Sequence, residues 1–404
     1  MSPIRKESIY INSLAVALII NAQYIAYIFN AYWGVSGGLV TLLYIASFSL
    51  LIVGSIFNKF KLNVRVSKES CIMVGYIIVM FLFSFLITSG SVTKDYFSDF
   101  VATGLITLFV FQCDFDKEQV ILWNMAMALF FCINSKKYIS SALLNISYER
   151  ASMFASYILV PIILSFIYHI VFYRKKKWNV LVLYLANIYM IFRTISILGR
   201  GPLLSIVVGT AVAWIIKNNE KWGSKSAKNK ITIIALVFIG VTVLMNIESI
   251  LFYLNKLFTS LGIQVAALKK SLDLLTMNGA TGLLNNRNDR WEWAFQMIKS
   301  SPLIGNGIGE YANRYMTWPH NVFLQILVEL GVVLGFPLIY VLVKNIYVLF
   351  FKQGDLEDHV FLGYLFSISF IRLMLSSYLW HHPEFWMFMY MGIIVNNKQK
   401  EKNT

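Results

Sequence analysis

The chain has 404 residues, of which 58% are hydrophobic and only 14% are charged, and its mean hydropathy is +0.65. A soluble domain carries about 25% charged residues, so this composition excludes an ordinary soluble protein and predicts an integral membrane protein. The formal net charge is +15, yet Lys and Arg fall in short clusters between apolar segments, which argues against a nucleic-acid partner. The three cysteines, Cys71, Cys113 and Cys132, lie in or beside apolar runs, so neither a disulfide framework nor a metal site is predicted.

The apolar segments predict an all-α membrane protein. A bilayer core of about 30 Å needs roughly 20 apolar residues in a helix, and about twelve such runs are present. They begin near Ile9, Gly34, Cys71, Phe97, Gln119, Ala151, Asn179, Gly201, Ile231, Asn321, Val360 and Pro383. No small-residue cleavage site follows the first run, so we expect a retained first helix and not a signal peptide.

The distribution of basic residues predicts the orientation of these spans. With twelve spans both termini share a side, and the loops on that side hold 21 of the 35 Lys and Arg residues. Because Lys and Arg accumulate in cytoplasmic loops, we expect both termini to be cytoplasmic. The fifth span fits this pattern least well, since Ser135 to Arg150 carries three basic residues on the predicted outer side.

The predicted spans divide the chain into three parts. Residues 1–247 hold the first nine spans, residues 248–319 form one long outer loop, and residues 320–404 hold the last three spans. The first part of the loop, residues 249–275, has a helical apolar period and predicts an amphipathic helix at the membrane interface. Chemistry outside the bilayer is therefore expected in this loop or at the membrane boundary below it.

The second part of the loop contains a short predicted helix and a glycine stretch. The helix runs from Arg290 to Lys299, and Pro302 ends it. Alternating glycines follow at Gly305, Gly307 and Gly309, and such a stretch would let the backbone approach a ligand closely. No strand precedes the glycines, so a dinucleotide-binding loop is not indicated.

Two ionisable residues mark the boundary where this loop enters the next span. His320 lies within reach of a lipid headgroup, although a histidine that only satisfies a local hydrogen bond is an equal alternative. Glu329 is an acid inside an apolar span, which is costly without a partner. It lies about 13 Å from His320 along a helix, so Arg193 or Arg372 is the expected partner.

Three blocks of this region together resemble the signature of the O-antigen polymerase and ligase superfamily (Wzy and WaaL). They are Arg290-Trp-Glu-Trp-Ala, Ser301-Pro-Leu-Ile-Gly-Asn-Gly-Ile-Gly309 and His320-Asn-Val-Phe-Leu-Gln-Ile-Leu-Val-Glu329-Leu-Gly331. A fourth piece, Leu198-Gly199-Arg200-Gly201-Pro202, resembles the family's Ser-Arg-Gly segment, with Gly199 where Ser is usual. The similarity covers about Arg193 to Gly335, and Gly331 and Gly335 are four apart where three is commoner.

The resemblance implies a multi-pass glycosyltransferase of the GT-C type in the bacterial inner membrane, with its active site facing the periplasm. Its donor would be a glycan on undecaprenyl diphosphate, and it would need no cofactor. The acceptor would be a sugar hydroxyl on the next lipid-linked repeat unit in a polymerase, which we favour, or on lipid A-core in a ligase. Membrane lipid, a chain-length regulator and a flippase of the same pathway are the implied partners.

A flippase for the same lipid-linked glycan is a third hypothesis for the function. Transporters tend to show two similar halves with broken helices at the membrane midplane. In this chain the single long outer loop has no counterpart in the first half, so an enzyme is favoured.

Arginine suits the grip on a diphosphate, because its charge is permanent and its planar fork matches phosphate oxygens. Arg200 and Arg290 are the predicted clamp, with Arg287 as the substitute for Arg290. The alternatives are an interfacial role for Arg200 and a surface ion pair of Arg290 with Asp289 or Glu292.

His320 completes the predicted catalytic set, either as the base that takes the acceptor proton or as a group that orients the diphosphate. His381, His382 and Glu384 are interpreted as a polar loop and not as a metal site, because adjacent histidines point apart. The predicted substrate contacts are Arg287, Trp291, Tyr311, Arg314, Trp318 and Asn321.

Overall fold

A computed structural model describes residues 3–34, 38–57, 68–88, 90–144, 154–173, 178–195, 197–218, 247–262, 268, 272–273, 287–352 and 354–403. The secondary structure of these ranges is helical throughout, without a strand among the described residues. The predicted ninth span, near Ile231, and most of residues 263–286 in the long loop lie outside them.

The helices follow the predicted apolar runs closely. In chain order they are α1 (Pro3–Trp33), α2 (Leu39–Phe57), α3 (Lys68–Ile87), α4 (Ser91–Phe100), a π-helical turn (Val101–Leu105), α5 (Ile106–Val110), α6 (Lys117–Leu144), α7 (Val160–Phe172), α8 (Trp178–Thr194), α9 (Arg200–Asn218), α10 (Ile247–Ser260), α11 (Arg287–Ser300), α12 (Glu310–Tyr315), α13 (Val322–Phe351), α14 (Leu356–Leu375), a 3-10 turn (Leu379–His381) and α15 (Pro383–Asn403).

Seven of the described helices are long and apolar enough to cross a membrane. They are Arg5–Trp33, Leu39–Phe57, Lys68–Ile87, Phe154–Phe172, Arg200–Asn218, Val322–Phe351 and Leu356–Leu375. The other predicted spans that fall in the described ranges, α4 to α5, α6, α8 and α15, are helical but are not among these seven. The protein is therefore an integral membrane protein with several membrane-spanning helices.

One end of the helix bundle gathers the loops that the sequence assigns to the side of the termini. Arg5 in α1 pairs with Asp114 at 3.3 Å. Asp358 at the start of α14 accepts hydrogen bonds from Lys117 in α6 and from Lys398 in α15, the latter at 2.7 Å. The beginnings of α1, α6 and α14 and the last turns of α15 thus meet at what we call the terminal end.

The opposite end, the site end, is organised around a break in α13. Gly331 has φ 67° and ψ −171°, which interrupts the helix, and the segment from Pro302 to Gly307 fills the gap. Four backbone hydrogen bonds hold it there: Val332 N to Pro302 O (2.8 Å), Val333 N to Leu303 O (2.9 Å), Asn306 N to Val328 O (2.9 Å) and Gly307 N to Glu329 O (2.9 Å). The loop thus provides partners for backbone N–H and C=O groups that the break leaves without helical hydrogen bonds, as a membrane helix requires.

The alternating glycines serve this packing, which corrects the expectation that they admit a ligand. Gly305 has φ 72°, and a Cβ there would overlap the carbonyl oxygen of Glu329. A Cβ on Gly307 would lie 2.5 Å from the Thr88 side chain, and one on Gly309 would lie 3.1 Å from the Thr93 nitrogen. The missing side chains of these glycines therefore make room for other parts of the protein and not for a ligand.

The same loop docks onto the ends of α3 and α4. Ile308 N donates to Ser84 Oγ at 2.9 Å, and Thr93 Oγ1 donates to the Ile308 carbonyl at 2.8 Å. Ile308 is completely buried. Because both polar groups of Ile308 bind side chains of the bundle, the loop is fixed against α3, α4 and α13 at the site end.

Candidate functional site

His320 lies in the short connection that precedes α13, and it is 7% exposed with φ 54°. Its Nδ1 atom is buried and has no hydrogen-bond partner among the described residues. Burial, followed by the positive charges of Arg290 and Arg287, lowers the pKa of His320 to about 3. The imidazole is therefore neutral near pH 7, within electrostatic reach of two guanidinium groups.

This shift predicts a pH dependence of stability. The unfolded chain takes up a proton on His320 near pH 6.5, whereas the folded chain does so near pH 3. The contribution to stability is thus complete above pH 6.5 and falls as the pH drops from 6.5 towards 3, by roughly 1 kcal/mol at pH 5.5. We expect His320→Asn to reduce the fall in melting temperature between pH 7 and 5.5, measured on detergent-solubilised protein. The same fall in the variant and in the wild type would contradict the buried neutral imidazole.

Arg287 and Arg290 occupy the first turn of α11 and are both half-buried. The Arg287 guanidinium donates to the Leu375 carbonyl at 3.0 Å, and its burial lowers its pKa. The hydroxyl of Tyr311 donates to the Arg290 carbonyl at 2.9 Å. Ala294 of α11 packs in a small core with Tyr311. This packing holds the helix in place and so fixes the backbone positions of both arginines.

Arg200 begins α9 at the same end of the bundle and is half-buried. The next residue, Gly201, packs against the hydroxyl of Tyr157. That hydroxyl shares a hydrogen bond of 2.9 Å with Ser376, which directly follows the carbonyl that Arg287 binds. The beginnings of α9 and α11 are therefore connected through the Tyr157 side chain and the end of α14.

A row of aromatic rings extends from His320. The Trp318 ring centroid lies 5.5 Å from that of His320 and 5.4 Å from that of Tyr378. Tyr96 from α4 stacks on Tyr378 at 4.6 Å with an angle of 14° between the rings. Since the four rings come from three separate segments, the row joins α4 to the segments before α13 and after α14.

Asp99 of α4 lies at the far end of this row. It accepts a hydrogen bond of 2.8 Å from the Tyr378 hydroxyl, and its second oxygen lies 3.1 Å from Nδ1 of His381. Burial raises the pKa of Tyr378, so its hydroxyl stays protonated and acts as a donor. Sequence reasoning missed Asp99, although an acid within a predicted span is the same signal that singled out Glu329.

Glu329 has different partners from those expected. Gln325 Nε2 donates to it at 3.0 Å and Trp380 Nε1 at 2.9 Å. The expectation of Arg193 or Arg372 as its partner is therefore wrong, because two neutral donors already occupy both carboxylate oxygens. Glu329 supports the broken helix and the turn after α14.

His382 and Glu384, predicted to lie in a polar loop, form a buried polar pair, with Glu384 in the first turn of α15. His382 Nδ1 lies 3.1 Å from a Glu384 oxygen, and its Nε2 shares a hydrogen bond of 2.5 Å with Ser377. Arg372 lies 3.7 Å from the same carboxylate. This buried cluster braces the segment that carries Tyr378 and His381.

Comparison with known families agrees with the sequence signature. Residues 185–339 match the family Wzy_C, described as O-antigen ligase. This region is a Wzy_C domain. The chain thus carries a domain of the O-antigen ligase and polymerase superfamily, whose members are glycosyltransferase-like enzymes. No curated protein matches the chain.

The Wzy_C domain spans less than half of the chain, and the site draws on residues beyond it. Arg200, Arg290 and His320 lie within the matched residues 185–339. Asp99 and His381 lie outside them, on helices that pack against the domain. The site end is consequently assembled from the domain together with its neighbouring helices.

Several predicted substrate contacts have structural partners within the Wzy_C domain. Asn321 caps α13, with Oδ1 accepting from Phe323 N at 3.0 Å and Leu324 N at 3.2 Å. Arg314 lies 3.6 Å from Glu310 and is half exposed. Trp291 is half-buried, and its indole nitrogen has no partner among the described residues.

The role of Asn321 can be tested by substitution. A cap needs only a short side-chain oxygen, so Asn321→Ser is expected to keep stability within about 0.5 kcal/mol, whereas Asn321→Ala costs about 1 kcal/mol. Thermal unfolding in detergent measures this difference, and polysaccharide gels measure activity. If Asn321→Ser folded normally but formed no polymer, Asn321 would be a substrate contact and not a cap alone.

Proposed function

We propose that this protein is a polysaccharide repeat-unit polymerase. It transfers a growing glycan from undecaprenyl diphosphate to a sugar hydroxyl of another lipid-linked repeat unit. The observation that carries the proposal is the buried His320 in the connection before α13 of a Wzy_C domain, where the charges of Arg290 and Arg287 act on it.

The chemistry of such a transfer suits these residues. The bond between the anomeric carbon and the diphosphate oxygen breaks as the acceptor oxygen bonds to that carbon, and the acceptor proton must leave. Arg290, with Arg200 as the second half of the clamp, stabilises the charge that develops on the departing diphosphate. His320 can hydrogen-bond a diphosphate oxygen without adding a proton to the site.

The proposal includes a location. The charge count favours cytoplasmic termini, so the terminal end with Arg5 and Lys398 faces the cytoplasm and the site end faces the periplasm of an inner membrane. The contacts that bring the first and last helices to one end support the prediction that both termini lie on the same side of the membrane. A twelve-span GT-C architecture, the long periplasmic loop of residues 248–319, and a chain-length regulator and flippase as partners complete the proposal.

A ligase is the second candidate, because the matched family is described as O-antigen ligase. In a ligase the same donor glycan passes to lipid A-core. Polysaccharide gels of a strain that lacks the gene separate the two functions. Loss of long chains with one repeat unit still attached supports the polymerase, whereas loss of every attached unit supports the ligase.

A further inference from the structure

We propose that Asp99 and His381 activate the acceptor hydroxyl, with His381 as the catalytic base and Asp99 as its positioning residue. This inference rests on the proposed glycan transfer. It separates the site end into a donor side around Arg290 and His320, and an acceptor side around Asp99 and His381.

The acceptor side pairs an imidazole with a carboxylate at close distance. Nδ1 of His381 lies 3.1 Å from Asp99 Oδ1, which leaves Nε2, on the opposite edge of the ring, as the atom that can take a proton. The side chains of His381 and Asp99 are 32% and 26% exposed, so a substrate hydroxyl can reach them. The 3.1 Å contact does not have the alignment of a hydrogen bond in this structure, and the proposal requires the pair to align when substrate binds, as catalytic hydrogen bonds often do.

Tyr378 fixes the carboxylate in this arrangement. Its hydroxyl donates to Asp99 Oδ2 at 2.8 Å, and its ring stacks between Tyr96 and His381, with centroids 4.6 and 5.8 Å away. The other carboxylate oxygen is thereby directed to the imidazole. A carboxylate in this position selects the tautomer with a proton on Nδ1 and stabilises the imidazolium once Nε2 has accepted a proton.

His320 is less suited to take the acceptor proton. It is buried beside Arg287 and Arg290, and its conjugate acid would add a third positive charge to that group. The diphosphate also needs those arginines, so His320 belongs to the donor side as a neutral hydrogen-bonding group.

The two sides are joined by the aromatic row. From His320 the ring centroids step 5.5 Å to Trp318, 5.4 Å to Tyr378 and 5.8 Å to His381. These packed rings hold the two histidines at a fixed separation, and the partly exposed Trp318 between them can offer an apolar ring face to an acceptor sugar.

In the proposed step, Nε2 of His381 takes the proton of the acceptor hydroxyl while the acceptor oxygen bonds to the anomeric carbon of the donor. The anomeric bond to the diphosphate breaks, and the diphosphate leaves with the electron pair. The proton then passes from His381 to solvent, which returns the base to its starting state.

The test uses the full-length protein in liposomes with undecaprenyl-diphosphate-linked repeat units, and undecaprenyl diphosphate as the binding probe. We expect His381→Gln to lower kcat for elongation by about 100-fold or more, with KM and probe binding within about twofold of wild type. Asp99→Asn should lower kcat by about tenfold or more, and Asp99→Glu should recover part of it. Arg290→Ala should weaken probe binding, which identifies the donor side.

Asp95→Asn is the matched control, because it removes the same charge from an exposed position one turn earlier in α4. Normal elongation by this variant, together with wild-type elution in size-exclusion chromatography for all variants, supports the proposal. Wild-type kcat in His381→Gln, a rise in KM alone, or weakened probe binding equal to that of Arg290→Ala would overturn it. If wild-type protein itself failed to elongate, the proposed function would fail and not this inference alone.

Discussion

Arg290→Ala is expected to lower polymer formation by about 100-fold to 1,000-fold, one of the largest effects among substitutions in the site. Loss of a preorganised positive group next to a departing diphosphate removes stabilisation that water does not replace in a partly buried position. Arg200→Ala and His320→Ala are expected to abolish visible polymer as well. Polysaccharide gels of complemented deletion strains measure the loss, and immunoblots of membranes establish that each protein is present.

Two further variants make this result specific. Lys299→Ala removes a positive charge from the exposed end of the same helix and should leave polymer formation unchanged. His320→Asn keeps a side chain that tolerates φ 54°, so its loss of activity can be attributed to the imidazole and not to backbone strain. Wild-type polymer in Arg200→Ala, Arg290→Ala or His320→Ala would remove that residue from the site.

Gly305→Ala is expected to produce the largest loss of stability. The new Cβ would overlap the Glu329 carbonyl, which cannot move without opening the break in α13, and φ 72° disfavours any L side chain. Together these costs are about 3 kcal/mol or more. Recovery of folded protein from detergent, followed by thermal unfolding, measures the effect.

Gly262→Ala is the matched control for this substitution. Gly262 also has φ 72°, but a Cβ there meets no atom of the described residues within 4 Å. It should therefore cost only the conformational term of about 1–2 kcal/mol. Equal stability of the two variants would show that the close approach of Gly305 to α13 does not hold the loop in place.

Hydropathy predicted most of the helices, because a lipid-exposed helix must be apolar around much of its surface over a fixed length. It could not reveal the interruption of α13 at Gly331. A mostly apolar run looks continuous there, and the break is held by the Pro302 to Gly307 segment, distant in sequence, which donates and accepts its backbone hydrogen bonds.

The candidate site was predictable where the residues lie in contiguous motifs. Arg290 and His320 were singled out in this way and stay predictions, and both arginines of α11 act electrostatically on the histidine. Asp99 and Tyr378 are separated by 279 positions in the chain, so only the packing of α4 against the end of α14 brings them together. Residue type alone also did not reveal that Asn321, a predicted sugar contact, caps α13.

The central claim is that this protein joins lipid-linked repeat units to one another. Purified protein in liposomes that contain only undecaprenyl-diphosphate-linked repeat units tests it most directly, with the products separated on a polysaccharide gel. A ladder that grows by whole repeat units, and that is absent with Arg290→Ala, is the predicted result. No chain growth until lipid A-core is added, followed by transfer to that acceptor, would contradict the polymerase and support a ligase.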